Sequence, residues 1–248
     1  MRQLGPLELA ELSLELGYER DASGLLLQTR DPDPRDVRRP LFHLVRTVEG
    51  NRWALSAALT EAQRTAIESA LRAEPVIASL ADLEANAPRA AGAAGALAAA
   101  LGSAALIEEH RGPAFVFPEA LVTPVSEVAS EVELVADPRG LATAPELAWV
   151  REAADAARPL CVARNASGEV VAVCHSSRST SQAAAAGVET AEAYRGRGLG
   201  TAVVAGWAAS VRAQGRTPFY GTSWANAPSR GIARRLGLEL FGEDWHVG

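Results

Sequence analysis

The sequence contains no lysine, so all 24 of its basic residues are arginines. A nucleotide-binding P-loop needs a Gly-Lys-Ser/Thr triplet, and its absence excludes that class of phosphate site. Only two cysteines occur, Cys161 and Cys174, both in apolar surroundings. Because no Cys-x-x-Cys pair and no Cys/His cluster has zinc spacing, we expect two buried thiols, no disulfide and no metal site.

Strong membrane and nucleic-acid signals are also missing. The net charge of −6 argues against general nucleic-acid binding. The N-terminus lacks the apolar core of a signal peptide. Residues 90–107 carry no charge and are as long as a membrane span, but they are mostly Ala and Gly. We interpret them as a buried or loosely packed helix, and expect a cytoplasmic protein with no membrane partner.

The most informative segment of the chain combines closely spaced glycines with two arginines. It runs from Val188-Glu189-Thr190 through Tyr194-Arg195-Gly196-Arg197-Gly198-Leu199-Gly200-Thr201. The pattern predicts a strand over 183–190, a tight turn, and a helix over about 201–212. Glycines allow a ligand to approach the backbone closely, and the helix start favours an anion. The segment therefore predicts a binding site for a diphosphate.

The glycine spacing decides which kind of diphosphate site this is. A Rossmann turn of the type G-x-G-x-x-G would need a third glycine at Thr201 or Val203. The spacing that fits is Arg195-x-x-Gly198-x-Gly200. It resembles the R-x-x-G-x-G/A signature of the GNAT superfamily of acyl-CoA-dependent N-acetyltransferases. The alternative is a glycine turn that merely connects a strand to a helix.

The following residues extend this resemblance over about 172–247. A strand is predicted from Thr217 to Trp224, and Asn226 is a plausible N-cap for a helix that ends at Gly237. The segments Gly-Val-Glu-Thr, Tyr-Arg-Gly-Arg-Gly and Thr-Ser-Trp-x-Asn look like one bacterial two-domain GNAT subgroup. The resemblance implies a mixed α/β fold, with a mostly antiparallel sheet flanked by helices.

Local charge supports the same interpretation without any resemblance. Between Thr190 and Gly237 lie seven arginines and one acid, Glu192, although the chain as a whole is acidic. Coenzyme A carries about four negative charges, which a positive segment would attract. Some of these arginines also fit a solvated helix face, but Arg195 and Arg197 lie within the turn itself.

The resemblance implies direct transfer of an acetyl group from acetyl-CoA, as co-substrate, to a primary amine of a small molecule or peptide. The residues it implies for the coenzyme are Val188, Thr190, Arg195, Gly196, Arg197, Gly198, Gly200, Thr201 and Asn226. For Asn226 a pure capping role is the alternative.

Two positions depart from the common family pattern. The thiolate acid is often a Tyr seven residues after the Asn, which here is Ala233, and the glutamate base position falls at Ala184. The remaining catalytic candidates are Glu189, as base or amine anchor in an apolar strand, and Ser223 and Ser229, as donors to the thiolate or ligands of the pantetheine arm. These residues could equally serve strand ends and caps. His175 is more plausibly structural, and the other histidines show no partner pattern.

The first half of the chain carries no recognisable motif. Helices are predicted over 4–16 and 60–73, and strands over 41–47, 51–59, 104–108 and 113–117. We place a domain boundary near 117–124, giving an N-terminal α/β domain over 1–123 and the GNAT domain over 124–248. A degenerate second copy of the GNAT core in the first half is an open alternative.

The second half is predicted in more detail before the turn. Its elements are a strand over 131–135, a helical region over 143–157, and a hairpin pairing 160–164 with 169–176.

A rival function follows from Ala184 and Ala233, the two positions that lack the family's usual base and acid. The chain could bind an acyl-CoA as a sensor or interaction module without transferring the group.

Overall fold

The structure is a computed structural model, and it describes residues 4–31, 40–85, 99, 109–119, 121, 132–153 and 155–247. Its helices are α1 (Pro6–Gly17), α2 (Glu61–Ala73), α3 (Leu80–Ala85), α4 (Leu199–Ala213) and α5 (Ala227–Leu236). Short 3₁₀ segments span Pro145–Glu152, Asp155–Ala157 and Glu192–Tyr194.

Eleven strands are described. They are β1 (Tyr18–Arg20), β2 (Leu26–Thr29), β3 (Phe42–Thr47), β4 (Asn51–Leu55), β5 (Glu109–Val116), β6 (Val132–Val135), β7 (Leu160–Arg164), β8 (Val170–Ser179), β9 (Ala183–Thr190), β10 (Thr217–Gly221) and β11 (Glu239–Val247).

Side-chain caps fix two of the helix starts. At α2, Thr60 Oγ1 accepts a hydrogen bond from Gln63 N, and Gln63 Oε1 accepts one from Thr60 N at 2.9 Å. At α5, Asn226 Oδ1 accepts from Ser229 N at 3.1 Å, and Gly237 ends the helix with a left-handed φ of 64°. Both helices therefore begin and end where their capping residues predict.

Nine of the described strands form one sheet, in the order β4-β3-β11-β5-β10-β9-β8-β7-β6. Among these strands β10 and β9 are parallel, and all other neighbours are antiparallel. With helices on both faces, this confirms the predicted mixed α/β class with a mostly antiparallel sheet.

The sheet does not divide at the predicted boundary between 123 and 124. Strand β5 of the first half lies between β11 and β10 of the second half, and β3 pairs with β11. The described strands of the first half, apart from β1 and β2, thus extend the same sheet. Sequence could not indicate this, because each of these pairings joins strands more than 100 residues apart.

The two faces of the sheet have different cores. On one face α4 covers a cluster that includes Val203, Trp207 and Tyr220. On the opposite face α1 packs Leu9 and Leu14 onto residues of β3, β9, β10 and β11. We call these the α4 face and the α1 face.

Other predictions differ from the structure in detail. The region 143–157 contains 3₁₀ turns where a helical region was predicted, and Pro145 begins the first of them. Of the uncharged segment 90–107, which was interpreted as a helix, the structure describes only residue 99. The strand predicted over 104–108 lies outside the described residues. Cys161 and Cys174 are free, buried and directly opposite each other across β7 and β8, as expected for reduced thiols. Within the described residues, no helix has the length and hydropathy needed to cross a membrane.

Candidate functional site

The glycine-rich turn adopts a backbone that side chains disfavour. Gly196 and Gly198 have φ values of 76° and 85°, in the left-handed region. A Cβ added at either residue would meet no atom within 4 Å, so it would project into open space. The glycines are required by the backbone conformation, and they leave one side of the turn open to a ligand.

The start of α4 supplies backbone donors beside this turn. Gly198 is the N-cap, and the bond from Ala202 N to Gly198 O, at 3.0 Å, is the first along the helix. The amides of Leu199, Gly200 and Thr201 precede that bond and therefore have no partner within the helix. Together with the positive end of the helix dipole, they form an anion site.

A cleft of about 890 Å³ opens at this point, and we call it the turn cleft. Two arginines line it. Arg195 Nε donates to Thr190 O at 3.2 Å, and Arg235 Nε donates to Thr201 Oγ1 at 3.2 Å. The first arginine was predicted to bind the coenzyme, whereas Arg235 could only be assigned to a helix face, because its approach to α4 depends on the packing of α5.

Eight of the nine residues predicted to bind the coenzyme line the turn cleft: Val188, Thr190, Arg195, Gly196, Gly198, Gly200, Thr201 and Asn226. The ninth, Arg197, is not part of the lining. Its Nη2 donates to Ala193 O at 2.9 Å, and its guanidinium carbon lies 4.9 Å from the ring centroid of Tyr194. Arg197 therefore braces the turn from outside the cleft.

The catalytic candidates have different environments. Glu189 lines the turn cleft but is exposed, and it accepts a hydrogen bond from Trp149 Nε1 at 3.3 Å. The apolar enclosure expected around this carboxylate is not present. Ser229 also lines the cleft, whereas Ser223 lies outside the lining of both cavities described here.

Ser229 has a partner that sequence analysis did not identify. The hydroxyls of Tyr220 and Ser229 are 2.7 Å apart. Tyr220 is 2% exposed, and burial is the main cause that raises its pKa to about 12, although the bond to Ser229 opposes the shift. Tyr220 therefore keeps its proton at neutral pH and remains an O–H donor. Ser229 lies one helical turn before Ala233, the position at which the family pattern would place its Tyr.

Strands β9 and β10 separate from each other beside this hydroxyl pair. Their parallel register ends with Phe219 opposite Ala185, while β9 continues to Thr190 in pairing with β8 alone. From Ala186 onward, the other edge of β9 faces the gap without a strand partner, and Thr190 O at its end accepts a hydrogen bond from Arg195 Nε. A linear ligand that enters from the turn cleft would find hydrogen-bonding groups along this edge.

A second cavity, of about 190 Å³, lies between α1 and the sheet, and we call it the histidine cavity. It contacts the gap through Ala185 and Ala186 of β9 and through Tyr220 of β10. Tyr220 lines this cavity, while its hydrogen-bonding partner Ser229 lines the turn cleft. The Tyr220–Ser229 pair is thus part of the wall between the two cavities.

Three histidines form a row across three strands in the histidine cavity. His246 of β11 is directly opposite His43 of β3 and His110 of β5. The rings of His110 and His246 are stacked, with centroids 4.7 Å apart. Gly17 of α1 leaves room for the row, because a Cβ there would come within 3.0 Å of His43 Cε1.

Asp244 connects two of these rings. Its Oδ2 lies 2.7 Å from His43 Nε2, and its Oδ1 lies 3.1 Å from His246 Nδ1. Burial alone would raise the pKa of Asp244, but His43 and His246 together hold it well below its usual range. Burial lowers the pKa of His246 to about 4 against the opposing effect of Asp244, so this ring is neutral at pH 7.

The nitrogen and oxygen atoms of His43, Asp244 and His246 lie within 4.8 Å of one another, close enough for a metal ion to share. One nitrogen of each imidazole is hydrogen-bonded to Asp244, whereas His43 Nδ1 is buried without a hydrogen-bonding partner among the described residues. Sequence analysis missed the cluster because its members lie on β3, β5 and β11. The spacing Asp244-x-His246 puts two members on one strand face and was the only local signal.

His175 has the structural role that was expected of it. Its ring packs against the backbone of Gly187, where a Cβ would come within 2.5 Å of Cε1, and it meets Trp149 edge to face at 4.9 Å. Burial lowers its pKa to about 4, against an opposing hydrogen bond with Gly187.

Comparison with known proteins adds one informative match. Residues 158–244 match the family model of the GNAT acetyltransferases. The matched segment is about a third of the chain, runs from just before β7 into β11, and includes the turn and α4. Members of this family use an acyl-CoA as co-substrate. No curated protein matches the sequence.

Several solved structures are similar to this chain at low identity. One is a GCN5-related N-acetyltransferase-like protein from Streptococcus suis, at 21% identity, TM-score 0.41, and coverage of 57% of this chain and 63% of that one. A GNAT-family acetyltransferase from Colwellia psychrerythraea has 15% identity, TM-score 0.43, and coverage of 79% and 75%. A GCN5-related N-acetyltransferase from Kribbella flavida has 22% identity, TM-score 0.42, and coverage of 61% and 63%. The alignments span less than two thirds of the Streptococcus and Kribbella chains.

Proposed function

We propose that this protein transfers an acetyl group from acetyl-CoA directly to a primary amine. The observation that carries the proposal is the anion site at the start of α4, lined by free amides and open at two left-handed glycines. The family match of residues 158–244 supports the same chemistry. The two free, buried cysteines are compatible with a reducing compartment such as the cytoplasm.

The turn cleft fits the diphosphate of a coenzyme A. The amides of Leu199, Gly200 and Thr201 would donate to the phosphate oxygens, and the open side of Gly198 lets those oxygens approach the backbone. The guanidinium groups of Arg195 and Arg235 add positive charge at the same place. Asn226, whose side chain caps α5, lines the cleft where the rest of the coenzyme would pass.

The gap between β9 and β10 supplies what the acyl group needs. Acetyl-CoA provides a thioester whose carbonyl carbon is open to attack by a neutral amine. Unpaired amides on the edge of β9 between Ala186 and Thr190 can stabilise the negative charge that develops on the carbonyl oxygen. The hydroxyls of Tyr220 and Ser229 can protonate the departing thiolate, so this pair takes the role of the Tyr that is missing at position 233.

The proposal is tested by comparing two glycine variants that impose the same backbone strain. Gly198→Val places a side chain at the anion site, whereas Gly215→Val changes a left-handed glycine, with φ of 74° and open surroundings, at the far end of α4. We expect Gly198→Val to weaken acetyl-CoA binding by tenfold or more in calorimetry, from the loss of one or more charge-assisted hydrogen bonds of about 1.5–3 kcal/mol each. Gly215→Val should bind like the wild type. Equal affinities in both variants would contradict the proposal.

A non-catalytic acyl-CoA sensor is the alternative. The buried alanines at positions 184 and 233, where the family pattern often has a base and an acid, favour it. Release of free thiol from acetyl-CoA in the presence of amines separates the two functions. Thiol release that depends on an amine supports the transferase, and tight binding without turnover on any amine supports the sensor.

A further inference from the structure

The geometry points to the histidine cavity as the acceptor site for a free amino acid, with Arg178 binding its carboxylate and the Asp244–His246 pair receiving a proton from its amine. This inference rests on the proposed function, because it names the amine that the acetyl group would reach. It is argued from the position, the charges and the size of the cavity.

The position of the cavity is the first argument. The turn cleft reaches the gap between β9 and β10 through Val188 and Thr190, whereas the histidine cavity reaches it through Ala185 and Ala186. The two spaces therefore meet the same stretch of β9, within a few residues of each other. An amine in the histidine cavity and a thioester in the gap would approach each other beside Tyr220.

The charges within the cavity are the second argument. Arg178 lines it, and within the described part of the chain Arg178 Nε is buried without a hydrogen-bonding partner. Its guanidinium carbon lies 5.6 Å from the ring centroid of Tyr18, and no carboxylate of the described residues forms an ion pair with it. Arg178 is half-buried and its buried Nε lacks a partner, which is costly, and a bound carboxylate would relieve that cost through a bidentate pair.

A β-bulge directs Arg178 toward the cavity. The register of β8 with β9 shifts between Ser176 and Arg178. Strict alternation would put both side chains on one face, yet Ser176 accepts a hydrogen bond from Trp207 Nε1 of α4, while Arg178 lies over Tyr18 near α1. Bulges are common beside active sites because they re-aim a side chain in this way.

The negative charge of the cavity is the carboxylate of Asp244, which lies beside the histidine row. Asp244 is ionised and lines the same cavity as Arg178, so the cavity offers one anion and one cation. A zwitterionic amino acid carries the complementary pair, an ammonium and a carboxylate. A volume of about 190 Å³ admits a small molecule of this kind and excludes a folded protein segment.

His246 can take up a proton in this arrangement. With Asp244 ionised, His246 Nδ1 carries the hydrogen that is donated to Oδ1, so Nε2 keeps its lone pair. Burial lowers the pKa of His246 to about 4, so the ring is neutral at pH 7 and can hold a proton only in passing, before solvent takes it up. The titratable and charged groups around it are Asp244 on its own strand, His43 on β3, His110 on β5, Tyr18 on β1 and Arg178 on β8.

The transfer step balances as follows. The ammonium group loses two protons in total, one before its nitrogen attacks the thioester carbon and one from the tetrahedral intermediate. The new C–N bond forms, the C–S bond breaks, and its electron pair goes to sulfur. Sulfur receives one proton from the Tyr220–Ser229 pair, one of the two ammonium protons restores that pair, and the other leaves through His246 to solvent. The products are an N-acetylamino acid, free coenzyme A and one released proton.

The first experiment compares acceptors that differ only in the carboxylate. Alanine, histidine and tyrosine are matched with ethylamine, histamine and tyramine, and thiol release from acetyl-CoA is measured with the full-length protein. At least one amino acid should exceed its matched amine in kcat/KM by about 100-fold. Equal or better turnover of the three amines, or no turnover of any amino acid, would overturn the inference. Measured acetyl-CoA binding in the same preparation shows separately whether the proposed function stands.

Variants of Arg178 then test the assigned contact. Arg178→Gln should raise KM for the preferred amino acid by tenfold or more and affect kcat/KM for its matched amine far less, whereas Arg178→Lys should retain part of the preference. Unfolding temperature and acetyl-CoA affinity confirm that each variant is folded. A loss that is equal for amino acid and amine would assign Arg178 a structural role and contradict the inference.

The role of His246 as a proton acceptor is tested by comparing the effects of a substitution on kcat and on KM. His246→Gln should lower kcat by about 100-fold with little change in KM for acetyl-CoA. Dialysis against a chelator should not affect the wild type. If a chelator abolished turnover and Zn²⁺ restored it, His43, Asp244 and His246 would be metal ligands, and the proton-accepting role of His246 would be refuted.

Discussion

Removing the charge of Glu243 should strongly destabilise the protein. Glu243 is fully buried and accepts four hydrogen bonds: one from Arg46 Nη1 at 3.0 Å, two from Arg111 at 2.8 and 3.2 Å, and one from Trp224 Nε1 at 3.0 Å. The two arginine side chains are only 9–10% exposed. The carboxylate therefore joins β3, β5 and β11, the three strands that carry the histidine row.

The size of the effect follows from these contacts. Glu243→Gln leaves two buried guanidinium groups facing a neutral amide, with Glu74 Oε1 still 3.8 Å from Arg46 Nε, and breaking a buried ion pair in this way costs about 3–5 kcal/mol. For a chain of this length that corresponds to a fall in unfolding temperature of roughly 6–20 °C.

A matched control uses the same substitution at the surface. Glu68 pairs with Arg72 at 2.6 Å, but these side chains are 39% and 66% exposed. Such a pair is worth about 0.3–0.5 kcal/mol, so Glu68→Gln should shift the unfolding temperature by only about 1–2 °C. Thermal unfolding followed by circular dichroism measures both variants. Equal shifts in the two would refute the assignment of Glu243 as the clamp of these strands.

Four further outcomes are expected. Lowering the pH from 7 to 4 should destabilise the fold, because burial lowers the pKa of His175 from 6.5 to about 4. In this range the unfolded chain takes up a proton on His175 that the folded chain excludes. Urea unfolding measured across this pH range should show the loss of stability, and His175→Asn should flatten the pH dependence. Gly187→Ala should lower the unfolding temperature, since its Cβ would come within 2.5 Å of His175, whereas Gly221→Ala, which meets nothing within 4 Å, should not. Tyr220→Phe should lower kcat by about 100-fold at unchanged acetyl-CoA affinity, measured by thiol release and calorimetry; an unchanged kcat would remove Tyr220 from the mechanism. Iodoacetamide at pH 8 should leave Cys161 unmodified until urea unfolds the chain, because burial raises its thiol pKa to about 12.

Local features of the chain were predictable from sequence. The turn at Gly196 and Gly198 was identified by glycine spacing, and the start of α5 by Asn226. In these segments a few neighbouring residues determine the backbone, because a left-handed φ demands glycine and a free helix amide demands a cap. Eight of the nine residues assigned to the coenzyme lie within or next to such segments, and they line the turn cleft.

Features that depend on strand register were not predictable. The histidine row requires that β11 pair with both β3 and β5 in a particular alignment, and no local pattern around His43 or His110 indicates this. The orientation of Arg178 depends on a bulge, and the Tyr220–Ser229 pair on the packing of α5 against β10. For Glu189 the local sequence was misleading. Its apolar neighbours along the chain predicted an apolar environment for the carboxylate, but the sheet leaves this side chain exposed.

The central claim is that amides at the start of α4 hold the diphosphate of an acyl-CoA. Hydrogen–deuterium exchange with and without saturating acetyl-CoA tests it directly. Peptides that cover residues 196–202 should become strongly protected on binding, and peptides that cover the opposite end of α4, near Gly215, should not change. Saturable binding without protection of 196–202 would contradict the claim.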